Sequence, residues 1–313
     1  MTGELPRGES RTTDLGGPVH WVEYGGADGP AEAVHEHEGR SLGGSHLNWD
    51  LLAPHLTPHA RVVALDLPGF GRSEPGDRRA TVPANVDVLD RFLTDVVGGP
   101  VVLVGNSMGG MISVLAAARA GDRVRGLVLL DPAVPGPRGR IDPLVAGVFA
   151  AYAVPGVGER FMWLRRNRQT PLARALGLLR LCGIDPDTLP SEVIDRWVEM
   201  IEQREDVDGM DRAFLSAARS LLVLLADPRR YHRAMADVRQ PVLLLHGDRD
   251  RLVPVVAARD VARRHPTWRY VELAGIGHVP QLQVPEREAA EILRWLPGVQ
   301  SARSESRSAS RPV

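Results

Sequence analysis

The sequence predicts an α/β protein with a mostly parallel central sheet, helices on both faces and an inserted block of helices. Short apolar runs without polar alternation recur along the chain, as in strands that are buried on both faces of a parallel sheet. Segments of helical length separate these runs, and this alternation stops between about Pro132 and Val238 before it resumes. A chain of 313 residues is long enough to bury a sizeable core in one such unit.

Five apolar runs are the predicted strands of this sheet. They are Arg61–Leu67, Pro100–Gly105, Arg125–Asp131, Pro241–Gly247 and Trp268–Leu273. Apolar residues at helical spacing predict helices over Leu47–Leu56, Val82–Val97, Met108–Ala120, Val255–His265 and Pro285–Leu296. Strands and helices alternate in this order, which predicts βαβ units and therefore a parallel sheet.

The helical interruption divides the predicted core into two segments. Residues 16–132 and 239–298 form the core, and residues 133–238 form a helical cap that is inserted over one edge of the sheet. Residues 1–15 are predicted to be a loose N-terminal arm. Residues 299–313 are rich in Ser and Arg, and we expect them to be disordered.

The composition excludes several classes of function. The chain contains no lysine, so all 38 basic residues are arginine. Both the phosphate loop of nucleotide-binding proteins and the Schiff-base and pyridoxal enzymes require a lysine amine. A net charge of -1 gives no electrostatic reason to expect nucleic acid or a membrane surface as a partner. We therefore expect a small-molecule substrate, no nucleic-acid partner and no cofactor.

Cysteine and hydropathy patterns indicate the compartment. Cys182 is the only cysteine in the sequence, which excludes an internal disulfide and a cysteine zinc cluster and fits a reducing compartment. No apolar stretch approaches the length of a membrane helix, and the first residues lack the apolar run of a signal peptide. These features predict a cytoplasmic protein without membrane insertion, and the high Gly and Pro content suggests a bacterial source. No pattern in the sequence predicts an oligomeric state.

The most specific motif is Gly105-Asn106-Ser107-Met108-Gly109, which lies directly after a predicted strand and directly before a predicted helix. Small residues around the serine allow a sharp turn that presents the hydroxyl at the end of the strand. The amides at the N-terminus of the following helix favour negative charge there. In this context the motif predicts that Ser107 is a nucleophile, whereas a packing turn with an incidental serine is the alternative.

A serine nucleophile needs a histidine base, and the histidine needs a carboxylate that fixes its tautomer. The segment after the fourth predicted strand offers Asp248 and Asp250, and the segment after the fifth offers His278. Ser107, an aspartate and His278 then follow one another in the order that nucleophile-elbow enzymes use.

These motifs resemble those of the α/β-hydrolase superfamily over nearly all of residues 16–298. Family members similarly carry a GDxDxxVP segment, whose second aspartate is the triad acid, and a GxGHxP segment that holds the base. The resemblance implies a catalytic triad of Ser107, Asp250 and His278, with Asp248 as a turn residue. The segment Asp66–Ser73 also resembles the turn after the family's fourth strand, and we expect it to be structural.

The first loop departs from the family pattern. Family members usually carry His-Gly-x-Gly-Gly, in which the amide of x and the amide after the serine form the oxyanion hole. Leu42-Gly43-Gly44 match the end of that pattern, so the resemblance implies backbone donors at Leu42 and Met108. We further expect Gly43 and Asn106 to contact the substrate.

The approach to this loop, residues 31–41, is unusually polar. The segment Ala31–Glu38 contains His35 and His37 and is too polar for a central strand that is buried on both faces, which also leaves a sequence anomaly open. The two histidines would supply only two metal ligands with no third at a recognisable spacing, so we predict no metal site.

The predicted function is hydrolysis of carboxylic esters or related acyl substrates through an acyl-enzyme on Ser107. Similar elbows occur in hydrolases that cleave carbon–carbon bonds of ring-fission dienoic acids, and this reaction is the first alternative. The cap arginines Arg165, Arg166 and Arg168 could bind a substrate carboxylate, although such a run more often forms a solvated face. A weakly active or non-catalytic binding protein is the second alternative, because the first loop is altered.

Overall fold

An eight-stranded sheet forms the centre of the protein. The protein is represented by a computed structural model, and the structure describes residues 8–26, 32–36, 44–136 and 142–296. Strands β1 to β8 are, in chain order, Glu9–Asp14, Pro18–Gly25, Glu32–Glu36, Val62–Asp66, Val101–Asn106, Val124–Leu130, Val242–Gly247 and Arg269–Leu273. Across the sheet the order is β1-β2-β4-β3-β5-β6-β7-β8. Strands β3 to β8 run parallel to one another, whereas β2 is antiparallel to both β1 and β4.

The predicted α/β fold and its five strands are confirmed. The predicted strands correspond to β4 to β8, and each end lies within one residue of its predicted position. Every residue of β4, β5 and β7 is buried, which explains why these segments are apolar without alternation.

Helices cover both faces of the sheet. Helices α1 to α12 are, in chain order, Ala53–Leu56, Val82–Phe92, Met108–Ala120, Pro143–Ala153, Val157–Arg168, Pro171–Leu181, Ser191–Glu205, Met210–Ala226, Pro228–Asp237, Val255–Arg264, Pro280–Gln283 and residues 285–296. Val102 of β5 packs in an apolar cluster with Ile292 of α12, and Leu103 packs on the opposite face with Ile112 of α3. This alternation follows from the two-residue period of a strand.

Two predicted helices differ from those observed. The predicted helix Leu47–Leu56 is a short 3-10 turn over His46–Trp49 followed by α1. Proline is favoured in the first turn of a helix and lacks the N–H that an interior position would need, so α1 begins at Ala53 with Pro54 in its first turn. The predicted helix Val82–Val97 is α2 followed by a π-helical turn over Leu93–Val97.

Six α-helices, α4 to α9, lie between β6 and β7, where the sequence predicts the inserted cap. We call residues 143–237 the helical block. Its α8 packs against the core, because Phe214 shares an apolar cluster with Met108. Among the described residues, no helix has both the length and the apolar composition that crossing a bilayer requires.

The N-terminal segment differs from its prediction. Residues 1–15 were expected to form a loose arm, but Glu9–Asp14 form the edge strand β1. Its residues pair in antiparallel register with β2 from Glu9 opposite Glu23 to Asp14 opposite Pro18. Alternate side chains of an edge strand face solvent, so a polar sequence is compatible with this position.

Strand β3 also differs from its prediction. The polar segment around Val34 was predicted to be unsuitable for a central strand, yet Glu32–Glu36 lie between β4 and β5 and pair in parallel with both. Ladder hydrogen bonds use backbone groups that every residue except proline supplies. Pairing with β4 and β5 therefore does not require apolar side chains in β3. His37, the other histidine of this segment, lies outside the described residues.

Candidate active site

Ser107 occupies a sharp turn between β5 and α3. Its backbone has φ 54° and ψ -120°, a left-handed conformation that is rare for residues other than glycine. The Ser107 N–H donates to Leu130 O at 3.0 Å, and the Ser107 carbonyl accepts from Ala133 N–H at 2.8 Å. The end of β6 and the segment that follows it thus bond to the backbone of Ser107. Backbone strain of this kind is typical of functional sites.

Close packing explains the glycine two residues before the serine. A Cβ at Gly105 would lie 2.7 Å from the backbone of Gly109 and 2.7 Å from Ser113 Oγ. A Cβ at Gly110 would lie 2.7 Å from Pro132. The first turn of α3 can therefore approach β5 and β6 only if side chains are absent here.

Asp250 and His278 form a buried hydrogen-bonded pair. Oδ2 of Asp250 lies 2.6 Å from Nδ1 of His278, and both side chains are fully buried. Oδ1 of Asp250 accepts from the N–H groups of Leu252 and Val253 at 2.7 and 3.0 Å. Burial alone would raise the pKa of Asp250, but the imidazole of His278 and these hydrogen bonds hold it below its ordinary value. The carboxylate is therefore ionised and fixes the imidazole through Nδ1.

The other candidate acid, Asp248, lies in a surface turn. Its Oδ1 accepts from Gly275 N–H at 2.6 Å. That hydrogen bond joins the loops after β7 and β8, so Asp248 supports the turn that carries His278.

Asn106 connects the serine turn to the histidine loop. Its Nδ2 donates to Leu130 O at 2.9 Å and to His278 O at 3.0 Å, and its Oδ1 accepts from Gln281 at 3.1 Å. The Asn106 side chain is fully buried. These bonds occupy the amide, and they favour a positioning role for the Asn106 side chain over the substrate contact expected from the sequence. Asn106 instead holds the backbone of His278 against the residue that precedes Ser107.

A second carboxyl group lies beside Asp250. Asp131 follows β6 and has φ 42°. Among the described residues other than glycine, only Asp131 and Ser107 have a positive φ. One oxygen each of Asp131 and Asp250 and a nitrogen of His278 lie within 4.8 Å of one another. Burial, followed by the charge of Asp250, raises the pKa of Asp131 well above its ordinary value. The raised pKa favours the protonated form of Asp131, whose Oδ1 accepts from Gly247 N–H at 2.8 Å.

His246 completes this buried cluster. Its Nε2 donates to Val253 O at 2.8 Å and lies 3.5 Å from Asp250 and 3.6 Å from Asp131. Burial lowers the pKa of His246, so the ring is neutral. The sequence placed Asp131 and His246 at strand ends, but it gave no indication that they would meet Asp250.

Of the two predicted oxyanion donors, Met108 lies within the described residues. Met108 is the first residue of α3, and the first N–H groups of a helix have no acceptor within it. The other predicted donor, Leu42, and the predicted substrate contact Gly43 lie outside the described residues. Gly44, the last residue of that motif, is buried beside the 3-10 turn.

The helical block contacts the histidine loop directly. His278 N–H donates to the carbonyl of Cys182, at the end of α6, at 2.8 Å. A Cβ at Gly277 would lie 2.4 Å from the same carbonyl. Arg251 also bonds to Asp142, which caps α4. The helical block therefore contributes to the position of the candidate base.

A separate buried cluster joins the N-terminal strands to the loop after β4. Nδ1 of His20 and Nδ1 of His46 lie 2.7 and 2.9 Å from the same oxygen of Asp66. The amides of His46 and Arg72 also donate to this carboxylate. These three side chains are close enough to hold a metal ion, but their ligand atoms already bond to one another. This agrees with the structural role expected for the Asp66–Ser73 segment.

Known proteins with similar sequences include several hydrolases. The chain is 32% identical over 241 residues to pimeloyl-(acyl-carrier protein) methyl ester esterase from Aromatoleum aromaticum, covering 76% of this chain and 88% of that protein. It is 27% identical over 257 residues to 2-hydroxymuconate semialdehyde hydrolase from Pseudomonas sp. strain CF600, covering 78% and 79% of the two chains.

A solved structure shares the fold. A loop variant of a haloalkane dehalogenase from Bradyrhizobium elkanii superposes with a TM-score of 0.73 and 23% identity, covering 95% of this chain and 99% of that one. Residues 34–292 match the model of the alpha/beta hydrolase family. This match spans the core strands β4 to β8 and the whole helical block, and the chain therefore belongs to the alpha/beta hydrolase family of enzymes.

Proposed function

We propose that the protein hydrolyses carboxylic esters through an acyl-enzyme on Ser107. The observation that carries this proposal is the buried Asp250–His278 pair, whose loop bonds to the residue before the strained Ser107. The 32% identity to a methyl ester esterase supports the same reaction class. We further propose that the helical block is a cap that covers this site.

In the proposed mechanism His278 removes the proton of the Ser107 hydroxyl, whose oxygen attacks the ester carbonyl. The N–H of Met108 and, we propose, that of Leu42 stabilise the negative oxygen of the tetrahedral intermediate. The intermediate expels the alcohol, which takes the proton from His278. His278 then deprotonates a water that attacks the acyl-enzyme, releasing the acid and restoring Ser107. Asp250 keeps the imidazole in the required tautomer and stabilises its protonated form.

Carbon–carbon bond hydrolysis is the second candidate. The 27% identity to 2-hydroxymuconate semialdehyde hydrolase supports it, since that protein matches over most of both chains. The two reactions differ in the bond that breaks, so the same residues serve both proposals.

A fluorophosphonate probe and a series of p-nitrophenyl esters test the proposal. We expect covalent labelling at Ser107 and turnover in the wild type, and loss of both in Ser107→Ala. Ser113→Ala is the matched control, because Ser113 is a buried serine on α3. Absence of labelling and turnover in a folded wild type would reject the hydrolase mechanism and favour a binding protein. Turnover of a ring-fission dienoic acid, without ester turnover, would favour the second candidate.

A further inference from the structure

A pocket between helices of the helical block is lined by four arginines. Its walls come from α5, α6 and α7, and Leu47 of the 3-10 turn lines its core side. The arginines are Arg165 and Arg166 of α5, Arg174 of α6 and Arg204 of α7. We call this the arginine pocket.

The protein neutralises only part of this positive charge. The Glu205 side chain forms an ion pair with Arg174, and the Glu205 backbone carbonyl accepts from Arg166. Within the parts of the chain that the structure describes, Arg165, Arg166 and Arg204 form no ion pair with a carboxylate. Glu202 adds a negative charge near Arg174, and Asp66 adds one near Arg204. The four arginines still outnumber these three carboxylates.

Two of the four arginines are buried, and burying a charged side chain without a partner lowers the stability of the folded protein. Arg174 is 9% exposed and Arg204 is 7% exposed. Nε of Arg174 has no hydrogen-bond partner among the described residues. Burial, followed by the charges of Arg165 and Arg166, lowers the pKa of Arg174, and burial lowers the pKa of Arg204 to about 10. Arginine remains charged at neutral pH, so a bound anion would relieve the repulsion that Arg165 and Arg166 exert on Arg174.

Apolar residues of the arginine pocket belong to the same apolar clusters as the residues that follow Ser107 and His278. Leu47, Leu178 and Trp197 line the pocket and share an apolar cluster with Val279, the residue after His278. Met162 lines it as well and shares a cluster with Met108, the residue after Ser107. A molecule with an apolar segment and an anionic end would match both features of this pocket.

We propose that the arginine pocket binds the anionic end of an ester substrate whose acyl chain carries a second acidic group, such as a dicarboxylate hemiester. This inference rests on the proposed esterase function and specifies its substrate class. The planar guanidinium groups of Arg165 and Arg166 would donate to the anionic oxygens, while the apolar wall contacts the chain between the two ends.

Helix α5 carries a third arginine, Arg168, that serves as the control for substitutions of Arg165 and Arg166. Arg165 and Arg166 line the arginine pocket. Arg168 is exposed, as Arg166 is, but does not line the pocket. Arg174 and Arg204 are less suitable for substitution, because Arg204 donates to Gly69 O at 2.8 Å and Arg174 is paired. Their replacement could unfold the protein.

The test compares mono-p-nitrophenyl esters of glutarate, adipate and suberate with neutral p-nitrophenyl esters of equal chain length. The wild type should prefer the anionic esters, with a higher kcat/KM. Arg165→Gln and Arg166→Gln should lower kcat/KM for these esters by about tenfold to a hundredfold each, the usual effect of losing a charged hydrogen bond. The same variants should leave neutral esters unchanged, and Arg168→Gln should change neither.

Calorimetry with Ser107→Ala protein gives a readout that does not require turnover. Free adipate should bind, and binding should weaken when Arg165→Gln is added. Inorganic phosphate is a second arm, and binding of phosphate without adipate would assign the pocket to a phosphate-bearing acyl substrate instead. Turnover of neutral esters without an anionic preference or adipate binding would overturn this inference but leave the esterase function intact. Adipate binding by a wild type without ester turnover would reject the esterase function, and with it the ester substrate proposed here, while it would retain an anion site in the arginine pocket.

Discussion

Nδ1 of His278 lies 2.6 Å from Oδ2 of Asp250, and neither side chain reaches solvent. Asp250→Asn would retain the size of the side chain but could present an amide N–H to Nδ1, which favours the wrong tautomer of the base. We expect kcat to fall by about ten-thousandfold with little loss of folding.

Asp248→Asn is the matched control for this prediction. Asp248 bonds to Gly275 N–H in a surface turn, so its substitution should change kcat by less than about tenfold. Steady-state kinetics of both variants on one ester decide between the two aspartates. Equal losses, or a larger loss in Asp248→Asn, would contradict the assignment of Asp250.

Asp131 should affect the charge of Asp250 through its own protonation state, because the two buried carboxyl groups lie beside each other. Asp131→Asn keeps both a donor and an acceptor, so we expect kcat/KM to stay within about tenfold of the wild type. Asp131→Ala leaves Gly247 N–H without its acceptor, which should cost about 1 to 3 kcal/mol of stability and lower activity further.

The dependence of activity on pH distinguishes an electrostatic effect of Asp131 on Asp250 from a packing effect of the Asp131 side chain. Asp131 faces Asp250, His246 and His278, and Glu288 adds a weaker negative charge. Ionisation of Asp131 at high pH would place a second negative charge beside Asp250, so wild-type activity should decline in that range. Asp131→Asn should lack this decline. An unchanged alkaline limb would contradict the prediction.

Asn106 should position the base rather than bind the substrate. Asn106→Ala would leave the carbonyls of Leu130 and His278 without their donor, so we expect lower stability by about 1 to 3 kcal/mol and a lower kcat with little change in KM. Asn167→Ala, at an exposed position of α5, is the control. A rise in KM alone would instead indicate a substrate contact.

Glu288 should make the protein less stable as the pH rises. Its side chain is fully buried, neither oxygen has a hydrogen-bond partner among the described residues, and burial raises its pKa well above the ordinary value. Above about pH 4 the unfolded chain releases this proton while the folded protein retains it. The free energy of unfolding then falls, by up to about 1.4 kcal/mol per pH unit, until the folded pKa is reached.

Glu288→Gln should remove this contribution. Urea unfolding between about pH 5 and 8 should give a flatter pH dependence for Glu288→Gln than for the wild type. Glu286→Gln, at an exposed position of the same helix, should retain the wild-type slope. Parallel curves for all three proteins would show that Glu288 is ionised in the folded state.

The sequence predicted most of the fold because its signals are local. Buried parallel strands are continuously apolar, and helices repeat their apolar positions, so β4 to β8 could be recognised without tertiary information. Strand β3 and strand β1 could not, since their polar residues carry no such pattern and the neighbouring strands determine their pairing.

In the candidate site, too, some residues were recognisable from the sequence and others only from the structure. The sequence alone indicated the serine turn at Ser107, because a strand, small residues and a helix follow one another there. The candidates Asp250 and His278 followed from their position after predicted strands, and the resemblance to α/β-hydrolases favoured Asp250 over Asp248. Only the tertiary structure decided that Asp131 lies against Asp250, and that Arg165 lines a pocket while Arg168 does not. These relationships join side chains from distant segments, and the packing of strands and helices, rather than any local pattern, brings them together.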